Sequence, residues 1–349
     1  MAATVIALLV AGIISFFTSL LGMPLLIRWL AANGIGQPIR SDGPQTHLKK
    51  TGTPTMGGIA IVLAAVAGYV VPHLVTTLPF SRRGLLVVFA FVGAALVGLA
   101  DDWIKISRKR SLGLNKRAKI IGQFLVAGIF AALAISWAKL DPVLGFTRPQ
   151  RPGWLLPTAV WVIVMMFVLI GCSNAVNLTD GLDGLAAGSS VYAFAAYTVM
   201  AFWMFRNFGD YRIERALDVA VVAASMVGAC AGFLWWNAAP ARIFMGDVGS
   251  LAIGSALGAI AVVTYTPLLL PIIGGIFVME TLSVMLQVFT FRLMGGRRIF
   301  RMAPIHHHFE LKGWPETTVL IRFWILAMIA AAVGLGLFYA DFLRLGGVD

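Results

Sequence analysis

The chain has 349 residues, of which 59% are hydrophobic and only 12% charged, and its formal net charge is +12. Its mean hydropathy of +0.89 lies outside the usual range for soluble domains, so the composition excludes a water-soluble globular protein. A membrane-crossing helix takes about 20 apolar residues, which leaves room for roughly ten spans and excludes a large soluble domain. We therefore predict an all-α, polytopic integral membrane protein.

Hydropathy predicts about ten transmembrane helices joined by short loops. The first has no basic start and no small-residue cleavage site, so we interpret it as a retained helix rather than a removed signal peptide. No internal repeat, linker or low-complexity tract interrupts the chain, so we predict a single transmembrane domain over 1–349. The predicted spans lie near 3–31, 57–78, 85–100, 119–138, 157–173, 184–205, 218–236, 248–265, 268–291 and 319–340.

The distribution of Lys and Arg residues predicts the orientation of these spans. If the N-terminus lies outside, the loops that face the cytoplasm carry most of the loop Lys and Arg residues, as the positive-inside rule requires. Both termini then lie on the outer (periplasmic or extracellular) side. The same orientation gathers the unusual polar stretches on the inner side, in the loops 33–56, 101–119, 173–187, 237–250 and 292–318.

Polar and acidic groups at the ends of membrane helices are costly to desolvate unless they face water, a metal ion or a partner. Five polar loops on one face therefore predict a shared site, with five independent loops as the structural alternative. Asp101 and Asp102, in "ADDWIKISRKRSLGLNKRAK" (100–119), end the third predicted span. They can pair with Lys105, one helical turn beyond Asp101, or receive a metal ion or a proton. An ordinary solvated helix end is the alternative.

The stretch "NAVNLTDGLDG" (174–184) places Asn177, Asp180 and Asp183 three residues apart. On a helix this spacing would stack them on one face, whereas Gly181 and Gly184 favour a loop. Either geometry presents the three side chains together. The alternative is that one Asp only caps the next helix.

Asp247, in "NAAPARIFMGDVGS" (237–250), stands at another predicted helix start, where it could also be a cap. The flanking Gly246 and Gly249 allow a backbone to approach a phosphate or a metal ion closely. Several carboxylates without a Cys cluster fit an oxygen-liganded ion such as Mg²⁺ better than Zn²⁺. We therefore predict Mg²⁺ as the cofactor and a phosphate group on the substrate.

Three consecutive histidines, His306, His307 and His308, lie in "GRRIFRMAPIHHHFELKGWPE" (296–316). Neighbours in sequence cannot all point at one ion from regular structure, so hydrogen bonding to a phosphate is favoured over a metal site. With Arg301 and Lys312 the loop could clamp a diphosphate. The basic loop 105–119 has a competing explanation, because juxtamembrane Lys and Arg attract anionic lipid head groups. Both roles hold if the substrate is itself an anionic lipid.

Six sequence blocks, in order along nearly the whole chain, resemble the signature blocks of the bacterial phospho-N-acetylmuramoyl-pentapeptide-transferases. That family belongs to the polyprenyl-phosphate N-acetylhexosamine-1-phosphate transferases, and the resemblance implies a multi-pass, ten-helix enzyme of the bacterial inner (cytoplasmic) membrane with its site facing the cytoplasm. The blocks are "SDGPQTHLKKTGTPTMGG", "GLADDWIKI", "NAVNLTDGLDGLA", "FLWWNAAPARIFMGDVGSLA", "ETLSVMLQV" and "RRIFRMAPIHHHFELKGWPE".

The resemblance implies the Mg²⁺-dependent transfer of phospho-MurNAc-pentapeptide from UDP-MurNAc-pentapeptide to undecaprenyl phosphate, which gives lipid I and UMP. This is the first membrane step of peptidoglycan synthesis. The implied partners are these two substrates and membrane lipid, with a homodimer as a family expectation and no nucleic acid. Two mechanisms stay open, direct attack by the lipid phosphate and a phosphorylated Asp intermediate. We favour direct attack, because a second phosphate pKa of about 6 leaves the lipid phosphate mostly dianionic at pH 7.

The resemblance also assigns roles to individual residues. Asp247 is the predicted Mg²⁺ ligand, while Asp101 and Asp102 are candidates for the base or for positioning the lipid phosphate. The full set of predicted catalytic residues is Asp101, Asp102, Asp247, His306, His307 and His308. The predicted substrate-binding residues are Lys50, Lys105, Lys119, Asn177, Asp180, Asp183, Asn237, Phe244 and Gln287.

Two other functions compete with this prediction. A sister enzyme that transfers GlcNAc-1-phosphate to the same lipid shares the acidic blocks, but "APIHHHFELKGWPE" (303–316) resembles the muramoyl-pentapeptide branch. A transporter or channel would place acids near helix midpoints and show repeat symmetry. The acids here cluster at predicted helix ends, which favours the enzyme.

Overall fold

The computed structural model describes residues 2–36, 52–108 and 113–344. Two short strands, Val143–Leu144 (β1) and Trp154–Leu155 (β2), pair antiparallel with Val143 opposite Leu155, and the rest of the regular structure in the described ranges is helical. The helices are Ala2–Ala32 (α1), Gly58–Thr76 (α2), Arg82–Ser107 (α3), Lys116–Ser136 (α4), Thr158–Thr179 (α5), Leu185–Arg206 (α6), Phe208–Tyr211 (α7), Ala216–Asn237 (α8), Gly246–Val263 (α9), Leu270–Ile273 (α10), Gly275–Leu293 (α11), Ile305–Glu310 (α12) and Glu316–Leu343 (α13).

Among the described residues, ten helices are long and apolar enough to cross a membrane. They are α1 to α6, α8, α9, α11 and α13, and each overlaps one predicted span. The chain is therefore a multi-pass membrane protein, as predicted. The two-residue strands of the β1–β2 hairpin are the one departure from all-α structure within the described residues.

Most span ends lie within three residues of the helix ends in the structure, and three spans differ by more. Helix α3 was expected to end at 100 and runs to Ser107, and α5 was expected to end at 173 and runs to Thr179. Hydropathy falls where polar side chains begin, but these side chains have partners on neighbouring helices, so the helical backbone continues. The ninth span, expected over 268–291, is interrupted at Gly274 between α10 and α11.

Helices α8 and α9 form the centre of the bundle. In the most apolar 18-residue segment of each helix, 83% of the residues of α8 and 89% of those of α9 are buried, compared with 22% in α1. Helix α8 packs on α1, α2 and α6, and α9 packs on α3 and α5. The close approach of α2 and α3 to α9 depends on glycine. A Cβ on Gly58 of α2 would overlap the backbone of Gly249, and a Cβ on Gly98 of α3 would overlap the backbone of Asp247. The acidic start of α9 is thereby held against α3.

Successive spans alternate in direction, so the end of α3, the start of α4, the end of α8 and the start of α9 lie at the same end of the bundle. We call this the site end, because all the described residues of the predicted site lie there. The other end, which holds the starts of α3 and α8, is called the opposite end.

The opposite end contains a buried His–Asp pair that joins three helices. His73 Nε2 of α2 lies 2.6 Å from Asp218 Oδ1 of α8, and both side chains are 1% exposed. The other oxygen of Asp218 accepts hydrogen bonds from the Tyr69 hydroxyl at 3.0 Å and from the Ser81 N–H at 2.7 Å. This network fastens α2 and α8 to the start of α3.

A second ion-pair cluster at the opposite end fastens α13 to the loop that carries the β1–β2 hairpin. Asp341 contacts Arg148 Nε at 3.3 Å and Arg151 NH1 at 3.1 Å. Its Oδ2 also accepts a hydrogen bond of 2.6 Å from the Thr147 hydroxyl. Two cationic side chains therefore neutralise one carboxylate at the end of the bundle away from the predicted site.

Candidate active site

Three predicted carboxylates converge at the site end. Asp101 and Asp102 come from the last part of α3, and Asp247 is the second residue of α9; one oxygen from each lies within 4.8 Å of the others. Asp101 and Asp102 are each only 3% exposed, so the alternative of a solvated helix end is wrong. Asp102 Oδ2 also accepts a hydrogen bond of 3.1 Å from the Val248 N–H, which fixes α3 to the first turn of α9.

The glycine before Asp247 is required by this arrangement. Gly246 has a φ of +73°, which disfavours other residues. A Cβ at this position would also lie 2.5 Å from Asp102 Oδ2. The close approach that the sequence indicated for Gly246 is therefore an approach to a carboxylate of the site itself.

Two lysines neutralise part of the acidic charge. Lys105 Nζ lies 2.6 Å from Asp101 Oδ2, 3.1 Å from Asp102 Oδ1 and 2.8 Å from Asp247 Oδ2. Lys119 Nζ, from α4, lies 2.8 Å from Asp247 Oδ2. The ion pair of Lys105 with Asp101 agrees with the sequence prediction. Three carboxylates face two ammonium groups, so the cluster keeps an excess of negative charge.

The donor set of the cluster fits Mg²⁺. Its ligand atoms are carboxylate oxygens, the hard donors that Mg²⁺ prefers, and the described cluster contains neither Cys nor His. A cation at this point is already stabilised, because the Lys105 ammonium contacts all three carboxylates. Asp101, Asp102 and Asp247 are the residues that could hold the ion.

Amide side chains extend the polar network away from the carboxylates. Asn177, in the last turn of α5, donates through Nδ2 to Asp247 Oδ1 at 2.7 Å and to the Ser250 hydroxyl at 2.8 Å. One turn earlier, Asn174 donates to Gln123 Oε1 of α4 at 3.1 Å. The sequence interpretation did not select Gln123, although a polar side chain inside an apolar span was a signal for it.

Asp183 lies in the turn 180–184 between α5 and α6, as does Asp180, whereas Asn177 is helical, so the loop alternative holds only for the two acids. Its Oδ2 accepts a hydrogen bond of 3.0 Å from the Ala241 N–H. The N-cap of α6 is Gly184, and no side chain caps the helix there. Asp183 therefore links the turn to the loop between α8 and α9 instead of capping α6.

Asp180 lies in the same turn, and within the described structure its carboxyl group makes neither a hydrogen bond nor an ion pair. Burial, followed by repulsion from Asp247, Asp102 and Asp183, raises the pKa of Asp180 to about 8. The side chain is therefore mostly protonated at neutral pH. A cation or a hydrogen-bond donor brought to this turn would favour its ionised form.

Asn237 uses both ends of its side-chain amide on backbone groups. Its Oδ1 accepts from the Gly184 N–H at 2.9 Å, and its Nδ2 donates to the Ile243 carbonyl at 2.9 Å. It thus connects the turn before α6 to the loop before α9, two loops that both border the carboxylate cluster.

Gln287 and Phe244 form hydrogen bonds with the backbone of loop residues. Gln287 Oε1 accepts from the N–H groups of Ile299 and Phe300, and its Nε2 donates to the Phe300 carbonyl at 3.0 Å. The half-buried Phe244 donates its backbone N–H to the Pro54 carbonyl at 2.8 Å. Phe244 stands three residues before Asp247 of the cluster, Gln287 contacts only the loop after α11 in these bonds, and Lys50 lies outside the described residues.

Of the three consecutive histidines, His306 and His307 have ring centroids 4.1 Å apart, and the Nε2 atoms of both face Gly181. His306 is completely buried, whereas His307 and His308 are partly buried. Their Nδ1 atoms, by contrast, have different partners. The nearest polar partners of the Nδ1 atoms are Glu280 at 3.1 Å for His306, Glu310 at 2.7 Å for His307 and the Arg301 N–H at 3.0 Å for His308.

Glu280, the sixth residue of α11, is linked to the site through His306, and the sequence interpretation did not select it, although its block "ETLSVMLQV" was part of the resemblance. The available signal was its position as the one acidic residue of the apolar helix α11. Its partner His306 comes from a different segment, and this pairing could not be derived from the sequence.

Comparison with known sequences gives first a class. Residues 84–265, which include Asp101, Asp102 and Asp247, match the sequence model of a family described as Glycosyl transferase family 4. Proteins named phospho-N-acetylmuramoyl-pentapeptide-transferase match nearly the whole chain. The protein from Frankia casuarinae is 52% identical over 97% of this chain and 99% of its own length. The protein from Cutibacterium acnes is 49% identical over 96% of this chain and 98% of its own length. The protein from Streptomyces coelicolor is 48% identical over 95% of this chain and 98% of its own length. The chain therefore belongs to the phospho-N-acetylmuramoyl-pentapeptide-transferase family.

Proposed function

We propose that this chain transfers phospho-MurNAc-pentapeptide from UDP-MurNAc-pentapeptide to undecaprenyl phosphate and thereby forms lipid I and UMP. The observation that carries the proposal is the contact of three site-end carboxylates with Lys105 and Lys119. The reaction brings two phosphate-bearing anions together, and a carboxylate cluster that could hold a metal ion beside two ammonium groups would offset their repulsion. The names of the relatives and the matching sequence blocks support this donor and this acceptor.

The proposed enzyme is one catalytic domain over 1–349 in the bacterial cytoplasmic membrane, with both termini outside and the site end facing the cytoplasm. The basic loops support this orientation through the positive-inside rule. Membrane lipid surrounds the bundle, and we keep the family expectation of a homodimer as part of the proposal. The reaction would be the first membrane step of peptidoglycan synthesis.

In the proposed reaction an oxygen of the lipid phosphate attacks the phosphorus that carries the sugar. A new P–O bond forms there, the bond from this phosphorus to the UMP oxygen breaks, and UMP leaves with the electron pair. Bound Mg²⁺, held by Asp247, would supply positive charge that offsets the negative charge on the phosphates. Because the lipid phosphate, with a pKa of about 6, is already mostly dianionic at neutral pH, Asp101 and Asp102 position it and need not act as strong bases.

The other predicted residues have proposed roles in holding the donor. Lys105 and Lys119 bind phosphate oxygens once the carboxylates are shared with the metal ion. The turn with Asp180 and Asp183 contacts the nucleotide together with Asn177. The remaining residues proposed for nucleotide or phosphate handling are Lys50, Asn237, Phe244, Gln287, His307 and His308, while the completely buried His306 is proposed to act through the turn 180–184.

The test is UMP release by the purified protein in detergent with Mg²⁺, undecaprenyl phosphate and UDP-MurNAc-pentapeptide. We expect Asp247→Asn to lower the rate by at least about 100-fold, which corresponds to about 2.7 kcal/mol of lost transition-state stabilisation. Asp341→Asn is the matched control, because Asp341 also pairs with two cationic side chains but lies at the opposite end. Its rate should equal that of the unsubstituted protein.

Two results of this assay would contradict the proposal. UMP release from UDP-GlcNAc alone would assign the chain to the sister reaction, and no UMP from either donor would favour a transport function. The direct-attack mechanism has its own test, in which the protein is incubated with labelled nucleotide donor and no lipid. A phosphorylated protein trapped under these conditions would refute direct attack.

A further inference from the structure

Glu280 is a buried acid within a membrane-spanning helix. It lies in α11, and its side chain is completely inaccessible to solvent. A carboxylate in this position is costly unless it has a partner, and acids kept inside membrane spans commonly mark functional sites. The reaction proposed above gives Glu280 no role, so the position calls for another explanation.

The partner of Glu280 is His306 from the short helix α12. His306 Nδ1 lies 3.1 Å from Glu280 Oε1, and both side chains are 0% exposed. Within the described part of the chain, neither carboxylate oxygen and neither ring nitrogen has a hydrogen-bond partner, so the 3.1 Å approach is an ion-pair contact. The electrostatic partner of each group is therefore the other, and removal of the carboxylate would leave the imidazole without one.

The second ring nitrogen of His306 faces the turn 180–184. A Cβ on Gly181 would overlap His306 Nε2, so the ring lies directly against the Gly181 backbone. Gly181 follows Asp180 and stands two residues before Asp183, the acids proposed to contact the nucleotide. Glu280, His306 and Gly181 thus form a continuous chain of contacts from α11 to this turn.

We propose that Glu280 is a positioning residue for the transfer reaction, because its carboxylate holds the His306 imidazole against Gly181 and thereby sets the turn that carries Asp180 and Asp183. The inference rests on the proposed function. A carboxylate at Nδ1 fixes the orientation of an imidazole and determines which nitrogen faces the next group, here Nε2 toward the turn.

The His73–Asp218 pair provides a matched comparison. It has the same chemistry and a similar burial, but it lies at the opposite end and fastens α2, α3 and α8. Loss of its carboxylate should lower the stability of the bundle without changing the turn 180–184. A variant at Asp218 therefore separates general destabilisation from loss of positioning.

The first experiment compares the kinetics of Glu280→Leu, Glu280→Gln and Asp218→Asn, with thermal unfolding as a measure of stability. We expect Glu280→Leu to raise the KM for UDP-MurNAc-pentapeptide about tenfold or more, the usual range for residues that orient a functional histidine. The KM for undecaprenyl phosphate should stay unchanged. Glu280→Gln keeps an oxygen acceptor for His306 and should retain a KM close to that of the unsubstituted protein. Asp218→Asn should unfold earlier with normal KM values.

If Glu280→Leu does not fold, Gly181→Ala tests the same contact, because its added Cβ would overlap His306 Nε2 while the Glu280 and His306 side chains are kept. It should raise the nucleotide KM in the same selective way. An unchanged nucleotide KM in the folded Glu280→Leu protein, or in Gly181→Ala when the leucine variant does not fold, would overturn the inference. Equal effects of Glu280→Leu and Asp218→Asn on this KM would overturn it too, since the role would then be structural.

A second experiment does not depend on activity. Asp180→Cys places a thiol in the turn, and its rate of maleimide labelling is compared alone, with Glu280→Leu and with Asp218→Asn. We expect about tenfold faster labelling only in the Glu280→Leu background, as the turn loses its support. Equal labelling rates would refute the positioning role. Absence of UMP release by the unsubstituted protein would refute the proposed function instead, so the two failures are distinguishable.

Discussion

Lys105 occupies the point of the site where positive charge is most stabilised. Its ammonium group contacts Asp101, Asp102 and Asp247, whereas Lys119 contacts only Asp247. A divalent ion that binds the same oxygens must compete with the Lys105 ammonium. The residue is therefore expected to lower the apparent affinity for Mg²⁺ while it supplies a phosphate contact.

Replacement of Lys105 by Met should separate these two effects. We expect Lys105→Met to reduce the Mg²⁺ concentration for half-maximal UMP release about tenfold, equivalent to about 1.4 kcal/mol, although the maximal rate falls. Lys119→Met is the matched control, and its smaller set of contacts predicts a smaller shift. A Mg²⁺ requirement in Lys105→Met equal to or above that of the unsubstituted protein would show that the ammonium does not compete.

For single residues, the sequence was sufficient to select many members of the site but not to predict which side chains contact each other. Charged groups beside apolar spans are visible in any linear pattern, which is why Asp101, Asp102 and Asp247 could be selected. The contact of Asn237 with the Gly184 N–H joins positions far apart in the chain, so only the folded structure shows it. The same holds for Glu280 and His306.

Among the helices, the crossing of α2 and α9 controls the position of Asp247. Gly58 and Gly249 face each other there, and a Cβ on Gly58 would overlap the backbone of Gly249. Backbone cannot move aside as a flexible side chain can, so any larger residue must push the two helices apart. The displacement would reach the first turn of α9 directly.

We therefore expect Gly58→Ala to lower both stability and activity. Overpacking of this kind costs about 1–3 kcal/mol, so the thermal unfolding midpoint in detergent should fall by several degrees. Gly22→Ala in α1 is the matched control, because among the described residues no atom outside its own stretch of helix lies within 4 Å of the Cβ it would add. The expectation fails if the two variants unfold at the same temperature with the same rate of UMP release.

The number and order of the spans could be predicted because about 20 apolar residues in sequence are sufficient evidence for a membrane helix. The ends of α3 and α5 could not. Asn177 has a polar side chain, yet it lies inside α5 because its side-chain amide donates hydrogen bonds to Asp247 and Ser250 of α9. A hydropathy profile contains no information on such partners and ends the helix too early.

For the whole molecule, the proposed orientation in the membrane can be tested by measuring which loops a membrane-impermeant reagent reaches. Lys139 lies beyond the end of α4 at the opposite end, and Arg242 lies between α8 and α9 at the site end; both are exposed. The native Cys172 and Cys230 lie within α5 and α8, so labelling of the unsubstituted protein supplies the background.

In intact cells with a permeabilised outer barrier, a membrane-impermeant maleimide should label Lys139→Cys and leave Arg242→Cys unlabelled. Arg242→Cys should react only after the cytoplasmic membrane is opened, because the site end faces the cytoplasm in the proposed topology. The reverse labelling pattern would require both termini to lie inside.

The central position of α8 and α9 has a consequence for how the protein is made. These helices are the seventh and eighth spans in chain order, yet they supply the main packing surfaces of α1 and α3. During synthesis the first six spans enter the lipid before these partners have left the ribosome. The early helices have some packing partners among themselves, such as α1 with α2, but the bundle is completed only when α8 and α9 are inserted. Asp247 reaches Asp101 and Asp102 only at this late step, so the growing chain acquires its candidate catalytic centre near the end of its own insertion.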